Sequence, residues 1–297
     1  KSTHMKHPSI RVVMITFNGD RFIEEQLKSI AEQAYLDHLH IQDDHSDPTF
    51  YRKLESLSAK LSIDYRLHRN TETLGVIANI KKAIEANSTA QFIALCDQDD
   101  IWQPHKLSTL GSMLKPSSSE IPTLVYHDAA VIDSNGRIMH DSFWHLLGQS
   151  HYEHRLETFL FGNFVTGGSS LFNKAVSRIA HTIPEDLKTL HDAWLALYAL
   201  TFGEIIRVEQ ALNQYRFHDH NVAFKEQPKE KRAKKKTKKA EEFLKDELLL
   251  AERFYLTFGD QMADRERQIF QRFLHLKNKP FFYKKIRKYL TLRKFKA

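Results

Sequence analysis

Cys96-Asp97-Gln98-Asp99-Asp100 follows the apolar run Phe92-Ile93-Ala94-Leu95 and sets three carboxylates at the end of what reads as a buried strand. Three negative charges in a small volume are costly unless a cation or a dense set of hydrogen-bond donors offsets them. If strand geometry persists, Asp97 and Asp99 face one side and Gln98 and Asp100 the other. Hard oxygen ligands at that spacing suit magnesium or manganese bridged to a phosphate. Acidic turns without any ligand are also common, so the neighbouring elements carry the decision.

Those elements alternate. Ile10 to Thr16 is a β-branched apolar run, and Phe22, Ile23, Leu27 and Ile30 recur at helical spacing. Leu39 to Gln42 reads as a short strand ending at Asp43-Asp44, and Leu54, Leu57 and Leu61 predict a helix before a strand over Ile63 to Leu67. Ile77, Ile80 and Ile84 predict a helix leading into the strand Gln91 to Cys96. This succession implies an α/β fold with a mixed, mainly parallel sheet flanked by helices. Ligands in such sheets gather at the carboxyl ends of strands. Three polar turns stand there: Thr16-Phe17-Asn18-Gly19, Asp43-Asp44-His45-Ser46-Asp47 and Asp97 to Asp100. Further on, Thr123 to Ile132 is strand-like with a turn at Asp133-Ser134-Asn135-Gly136, and Leu190 to Phe202 reads as an amphipathic helix entered through His191-Asp192.

The 297 residues suffice for one or two domains, and a 41% hydrophobic, 11% aromatic composition is ordinary for a globular protein. One cysteine, Cys96, excludes an internal disulfide and fits a reducing compartment. No apolar run approaches the roughly 20 residues that span a bilayer, and no secretory signal is expected. Lys1 to His4, before Met5, read as a cloning remnant. The net charge of +7 is uneven: nine Lys/Arg against two Glu between Lys225 and Lys239, and seven Lys/Arg without an acid from Phe281 to Ala297. The rest is acidic or near neutral, which predicts a body over 5–222 and a basic helical extension over 223–297.

Val12-Val13-Met14-Ile15-Thr16-Phe17-Asn18-Gly19, Asp43-Asp44-His45-Ser46-Asp47 and Leu95-Cys96-Asp97-Gln98-Asp99-Asp100-Ile101-Trp102-Gln103-Pro104 together resemble family-two glycosyltransferases of the GT-A fold. The Asp-Gln-Asp-Asp-Ile-Trp subgroup is similar to bacterial enzymes of surface-polysaccharide assembly, many of them rhamnosyltransferase-like. The resemblance continues through Asn163 to Phe172, His191-Asp192-Ala193-Trp194 and Tyr215-Arg216-Phe217-His218, covering roughly residues 9–222 in order.

The resemblance implies roles. Thr16 and Asn18 hold the nucleotide base and ribose, although taken in isolation a polar turn capping the next helix is the preferred account of them. Asp44 accepts the N3 proton of a pyrimidine, while Asp43 and Asp47 are structural, Asp47 as a cap before Pro48. Gly75 and Asn79 lie in the segment covering ribose and phosphates. Asp99 ligates Mg2+ or Mn2+, Asp97 holds a ribose hydroxyl or a metal water, and Asp100 orients them. Trp102 reads as packing rather than a sugar platform. Asp192 is the general base of an inverting transfer, against a plain N-terminal cap. His191 stands where the family more often has an acid. Gly167 and Gly168 line the acceptor, or serve packing; Arg216 contacts the diphosphate and His218 the metal or a phosphate.

The expected donor is a UDP- or dTDP-linked sugar, and the expected acceptor a saccharide or lipid-linked saccharide. A sugar nucleotidyltransferase would need a glycine-rich basic loop near the N-terminus, which is missing from the sequence. A non-catalytic sugar-binding scaffold is the remaining alternative. For the basic tail the readings are a solvated linker, self-association into a homo-oligomer, or attachment to an anionic membrane face. Nucleic acid is not an expected partner, since no nucleic-acid fold accompanies the charge. Phe281, Phe282, Tyr283, Ile286, Tyr289, Leu290 and Phe295 interleave with Lys284, Lys285, Arg287, Lys288, Arg293 and Lys294, as an interfacial helix requires. The expected location is cytoplasmic, peripheral on the inner face of the bacterial cytoplasmic membrane.

Overall fold

The computed structural model describes residues 8–114, 120–187, 191–218 and 243–292. Lys1 to His4, Leu190, the lysine run Lys225 to Lys239, and Arg293, Lys294 and Phe295 lie outside the described residues. β1 (Ile10–Thr16), α1 (Ile23–Ala31), β2 (Leu36–Asp43), α2 (Pro48–Ser58), β3 (Tyr65–Arg69), α3 (Val76–Ala86) and β4 (Phe92–Cys96) follow the alternation of the sequence. Next come β5 (Ile101–Trp102), α4 (Lys106–Ser112), β6 (Thr123–Ile132), β7 (Ile138–His140), α5 (Phe143–Leu146) and α6 (Leu156–Phe159). β8 (Ser170–Asn173), α7 (Lys174–Ser177), α8 (His191–Phe202) and β9 (Glu204–Arg216) complete the sheet region. Three helices end the described chain: α9 (Lys245–Phe258), α10 (Asp264–Leu274) and α11 (Phe281–Leu292).

Among the described residues, nine strands form one sheet in the order β3-β2-β1-β4-β8-β6-β9-β5, with β7 on β6. β1 to β4 pair in parallel, as do β6 and β9, while β8 runs against β4 and β6. The central strands are buried on both faces, which is why they read as unbroken apolar runs. Every residue of β4 is buried. Along β1 the alternation of side chains separates two cores. Val12 and Met14 join Ile23, Leu27, Ile30 and Leu107 on one side. Val13 joins Ile80, Ile84, Trp194, Phe254 and Phe270 on the other. The second core thus includes α9 and α10, so these helices close over α8.

That closure overturns one expectation. The 191–202 helix is not amphipathic: His191 to Leu197 and Ala199 are all buried, because the sheet covers one side and α9 the other. A helix buried all round carries apolar residues all round. The parallel register sets the carboxyl ends of β1, β2 and β4 side by side, with Thr16 opposite Asp43 and Met14 opposite Cys96. Asp47 caps α2, its Oδ1 accepting from Thr49 N at 2.8 Å, and Pro48 follows where its missing N–H costs nothing.

Candidate active site

The turns after β1 and β2 are bound to each other. Thr16 Oγ1 donates to Asp43 Oδ1 at 3.0 Å, and the Asp44 N–H donates to Thr16 O at 2.9 Å. Asn18 takes a left-handed conformation (φ 47), which an Asn tolerates better than most residues. Its N–H donates to Ser46 Oγ at 3.0 Å and its Oδ1 accepts from Asp47 N at 2.8 Å. Asp44 is buried, with Oδ1 accepting from Asn70 Nδ2 at 2.9 Å and Leu74 N at 2.8 Å, and Oδ2 from Gly75 N at 2.8 Å. Gly75 (φ 86) is the residue that lets the chain turn into α3 while presenting that N–H. Asn70 also donates to Asn79 Oδ1 at 2.8 Å, and Asn79 Nδ2 donates to Gln42 O at 3.2 Å. Thr16, Asn18, Asp44, Gly75 and Asn79 therefore come together as the sequence implied. The hydroxyl of Thr16 and the amide of Asn79, however, are turned into the protein.

The acidic turn departs from the expected geometry. Strand conformation stops at Cys96, so residues 97–100 bend instead of alternating. Gln98 leaves the group, accepting from Phe17 N at 2.8 Å and donating to Phe17 O at 3.0 Å. Asp97 and Asp100 lie together against Gly168: a Cβ there would meet Asp97 Oδ2 at 2.8 Å and Asp100 Oδ2 at 3.4 Å. Asp99 faces another way, its Oδ2 2.9 Å from His218 Nε2. Asp97 and Asp100 thus share the contact with Gly168, while Asp99, whose charge still raises Asp97, is engaged by His218.

The end of β9 holds this turn in place. Asn213 Nδ2 donates to Asp100 Oδ2 at 2.9 Å and Arg216 N to Asp100 Oδ1 at 3.2 Å. Arg216 is almost wholly buried; its Nε donates to Asp99 O at 2.9 Å, its Nη2 to Glu25 at 2.6 Å, and its guanidinium lies over Phe22. Arg216 was expected on the diphosphate. Here its Nε and Nη2 are engaged by Asp99 O and the Glu25 carboxylate, which ties the acidic turn to α1.

Gly167 and Gly168 are the hinge of the site. A Cβ on Gly167 would stand 2.7 Å from His191 Nε2. The Gly167 N–H donates to Asp192, which also accepts from Ala193 N at 2.6 Å and Asn163 Nδ2 at 3.4 Å. One glycine therefore holds Asp192 and its neighbour touches Asp97, which brings the start of α8 against the end of β4. Burial raises Asp192 to about 6 in spite of those donors. Asp97 is raised to about 7, first by desolvation and then by the charges of Asp99 and Asp192. Burial lowers His191 to about 4, so its imidazole is neutral at pH 7.

One participant escaped the sequence reading. Lys106 is fully buried, with Nζ donating to Gly168 O at 2.6 Å and lying 3.7 Å from the centre of the Trp102 ring. It ties the glycine turn to α4 and is the buried cation nearest in sequence to the acids; desolvation lowers it to about 7. Its signal was present, since Trp102, Lys106 and Leu110 recur every four residues and all three are buried. Trp102 itself is packing, as expected. Asn213 was also missed, having no motif of its own, and Asn163 was noted only as the start of a resembling segment. Among the described residues no group of three or more His, Cys, Asp or Glu is arranged to hold an ion, so Asp99 and His218 stand as a pair.

A cavity of about 330 Å³ opens near Asp192, lined by Phe159, Leu160, Leu197, Leu250, Glu247 and Asn163 among others. Asn163 spans the two, since its amide reaches Asp192.

Comparison with known proteins places this arrangement. Residues 11–178 match the sequence profile of glycosyl transferase family 2. The Escherichia coli UDP-Glc:alpha-D-GlcNAc-diphosphoundecaprenol beta-1,3-glucosyltransferase WfgD is 28% identical over 129 residues, 42% of this chain and 47% of that protein. The chain thus spans about half the length of this curated relative. Residues 1–349 of TarS from S. aureus, solved with UDP-GlcNAc, superpose with a TM-score of 0.63 at 14% identity, covering 95% of this chain and 72% of that one. The mannosyltransferase PcManGT from Pyrobaculum calidifontis, solved with GDP-Man and Mn2+, gives 0.58 at 15%, over 97% and 74%. At such identities the two structures speak for the fold, which is the GT-A fold.

Proposed function

The chain belongs to glycosyl transferase family 2, and on that premise we propose that it moves a hexose from a nucleotide-diphosphate donor to a saccharide hydroxyl on a lipid-linked acceptor. The observation that carries this reading is the meeting of the β4 acids with Asp192 across Gly167-Gly168. Asp192 takes the proton of the acceptor hydroxyl as its oxygen bonds to the anomeric carbon. The bond from that carbon to the diphosphate oxygen breaks on the opposite face, so the product is inverted. One carboxylate suffices for this displacement, because the diphosphate is the leaving group, whereas a retaining hydrolase would need a pair of carboxyl groups flanking the bond. A carboxyl near 6 is ionised at pH 7 and remains basic enough to accept the proton.

Asp99 and His218 would hold magnesium or manganese, and such an ion supplies positive charge to the departing diphosphate. The donor set fits: two protein ligands are what a small hard cation needs when phosphates and water complete its shell. The manganese in PcManGT supports the choice of ion. Asp97 serves the donor ribose or a metal water, and Asp100 with Arg216 steadies the turn.

The donor is read as a pyrimidine nucleotide sugar, UDP- or dTDP-linked. A carboxylate has about four acceptor sites, and the donors to Asp44 occupy two on Oδ1 and one on Oδ2. The remaining site matches the N3–H of uracil or thymine. WfgD is named for UDP-Glc, which supports UDP, and for a diphosphoundecaprenol-linked substrate, which supports the acceptor class and a role in bacterial surface polysaccharide synthesis. Thermal-shift screening of nucleotide sugars with and without manganese tests the reading. A rise in unfolding temperature for one pyrimidine sugar that requires the metal is the expected result, followed by release of the nucleoside diphosphate with acceptor. No shift with any nucleotide sugar would overturn it.

A further inference from the structure

α11 reads Phe-Phe-Tyr-Lys-Lys-Ile-Arg-Lys-Tyr-Leu-Thr-Leu and carries four basic residues and no acid. At about 100° of turn per residue, Phe282, Ile286, Tyr289 and Leu290 fall within roughly 100° of arc. Lys285 borders that arc on one side and Arg287 on the other. The arc points outward: Phe282 is 70% exposed, Ile286 41% and Leu290 50%. The opposite side of the helix is fastened down. Phe281 meets the Phe243 ring at 5.2 Å, Lys288 Nζ lies 3.3 Å from Glu247 of α9, and Leu292 packs on the larger core.

We propose that α11 seats the protein on an anionic lipid bilayer, with Phe282, Ile286 and Leu290 below the headgroups and Lys285 and Arg287 at their level. The chemistry of the arc selects this partner. Its centre is apolar and wants an apolar medium, while its borders are long cationic side chains that reach back to phosphate as their stems lie in the hydrocarbon. A nucleic acid would call for cations at the centre of the face. Twelve residues make a helix of about 18 Å, too short to cross the roughly 30 Å hydrocarbon layer. Among the described residues no helix is long and apolar enough to span a membrane. The helix therefore lies in the interface.

The seat also lies close to the site. Glu247, which Lys288 grips, lines the apolar cavity that ends on Asn163 and Asp192. The docked helix is thus joined by one ion pair to the wall of that cavity. The docking itself does not depend on the transfer reading, and the two are measured separately.

The experiment is co-sedimentation of the full chain with vesicles of phosphatidylcholine alone or mixed with phosphatidylglycerol. Strong binding to the mixed vesicles and weak binding to the neutral ones is expected, falling with salt. Lys285→Gln/Arg287→Gln should weaken binding to mixed vesicles by about 25-fold, at about fivefold per basic residue near an anionic surface. Phe282→Ser/Ile286→Ser/Leu290→Ser should reduce it by tenfold or more, with the unfolding temperature and turnover of a water-soluble acceptor unchanged. Phe282→Trp should add a blue-shifted emission on mixed vesicles. The proposal is overturned by a triple-serine variant that binds like the parent, by emission from Phe282→Trp that vesicles do not move, or by a parent that binds neither vesicle. Turnover of the soluble acceptor in those cases leaves the transfer reading standing.

Discussion

After β2, each carboxylate oxygen of Asp43 and Asp44 accepts from a neighbour: Thr16, Ser46, Asn70, Leu74 or Gly75. After β4, no donor among the described residues reaches the carboxylate of Asp97, and His218 stands against that of Asp99. Both regions set acids at the carboxyl end of a parallel strand of one sheet. In the first the chain supplies the donors and the charge is already compensated. In the second the acids are crowded with Asp192, and Asp97 is driven up to about 7. A compensated acid builds a cradle; an uncompensated one leaves capacity for a ligand.

The largest effects should come from the uncompensated region. Asp192→Asn is expected to cut turnover by about 10²–10⁴-fold, the usual worth of a positioned base, and Asp99→Ala to abolish metal-dependent turnover. Both variants should stay folded by circular dichroism. Normal turnover in either would break the assignment. Gly168→Ala should follow, because its Cβ would crowd Asp97 Oδ2 at 2.8 Å. Misplacement by about 1 Å can cost about 10²-fold, and steady-state kinetics would read it chiefly in kcat.

Stability should respond in the opposite sense. Asp44→Ala strands the N–H groups of Leu74 and Gly75 and the amide of Asn70. Its expected cost is on the order of 2–3 kcal/mol, read by urea unfolding, whereas Asp192→Asn should cost little at pH 7. The sign follows from linkage: with Asp192 raised from 3.8 to about 6, the folded state holds the proton longer, so this group's stabilisation is present below pH 3.8 and is lost as pH rises through about 6. Neutralising it removes that loss. The Asn variant should therefore match or exceed the parent at pH 7; a drop like that of Asp44→Ala would erase the distinction.

The smallest expected effect is a slope. Protonated Asp192 cannot take the acceptor proton, so kcat/KM should fall about tenfold per pH unit below about 6. A flat profile through pH 5 in a protein that stays folded would point to another base.

Much of this was legible from residue types alone. The runs Ile10 to Thr16 and Phe92 to Cys96 could only be buried strands, and three acid-bearing or polar turns after parallel strands had to share an edge. Asp47 before Pro48 carried its own cap signal. What was not legible depended on partners distant in sequence. Arg216 reads as a free cation until Glu25, Asp99 O and Phe22 are found around it. Residues 191–202 read as one-sided until α9 closes over them. Lys106 draws no attention in the sequence until it is found under Gly168.

The sequence by itself determined the order of elements, the edge on which the site forms and the identity of its acids, because strand period and acid spacing are local properties. The tertiary structure alone decided which acids meet Gly168, which meets His218, and which side chains are spent on holding others. Those outcomes depend on the bend after Cys96, the absent Cβ atoms of Gly167 and Gly168, donors brought from β9 and the Asp192 charge brought from α8, each across more than 90 residues of chain.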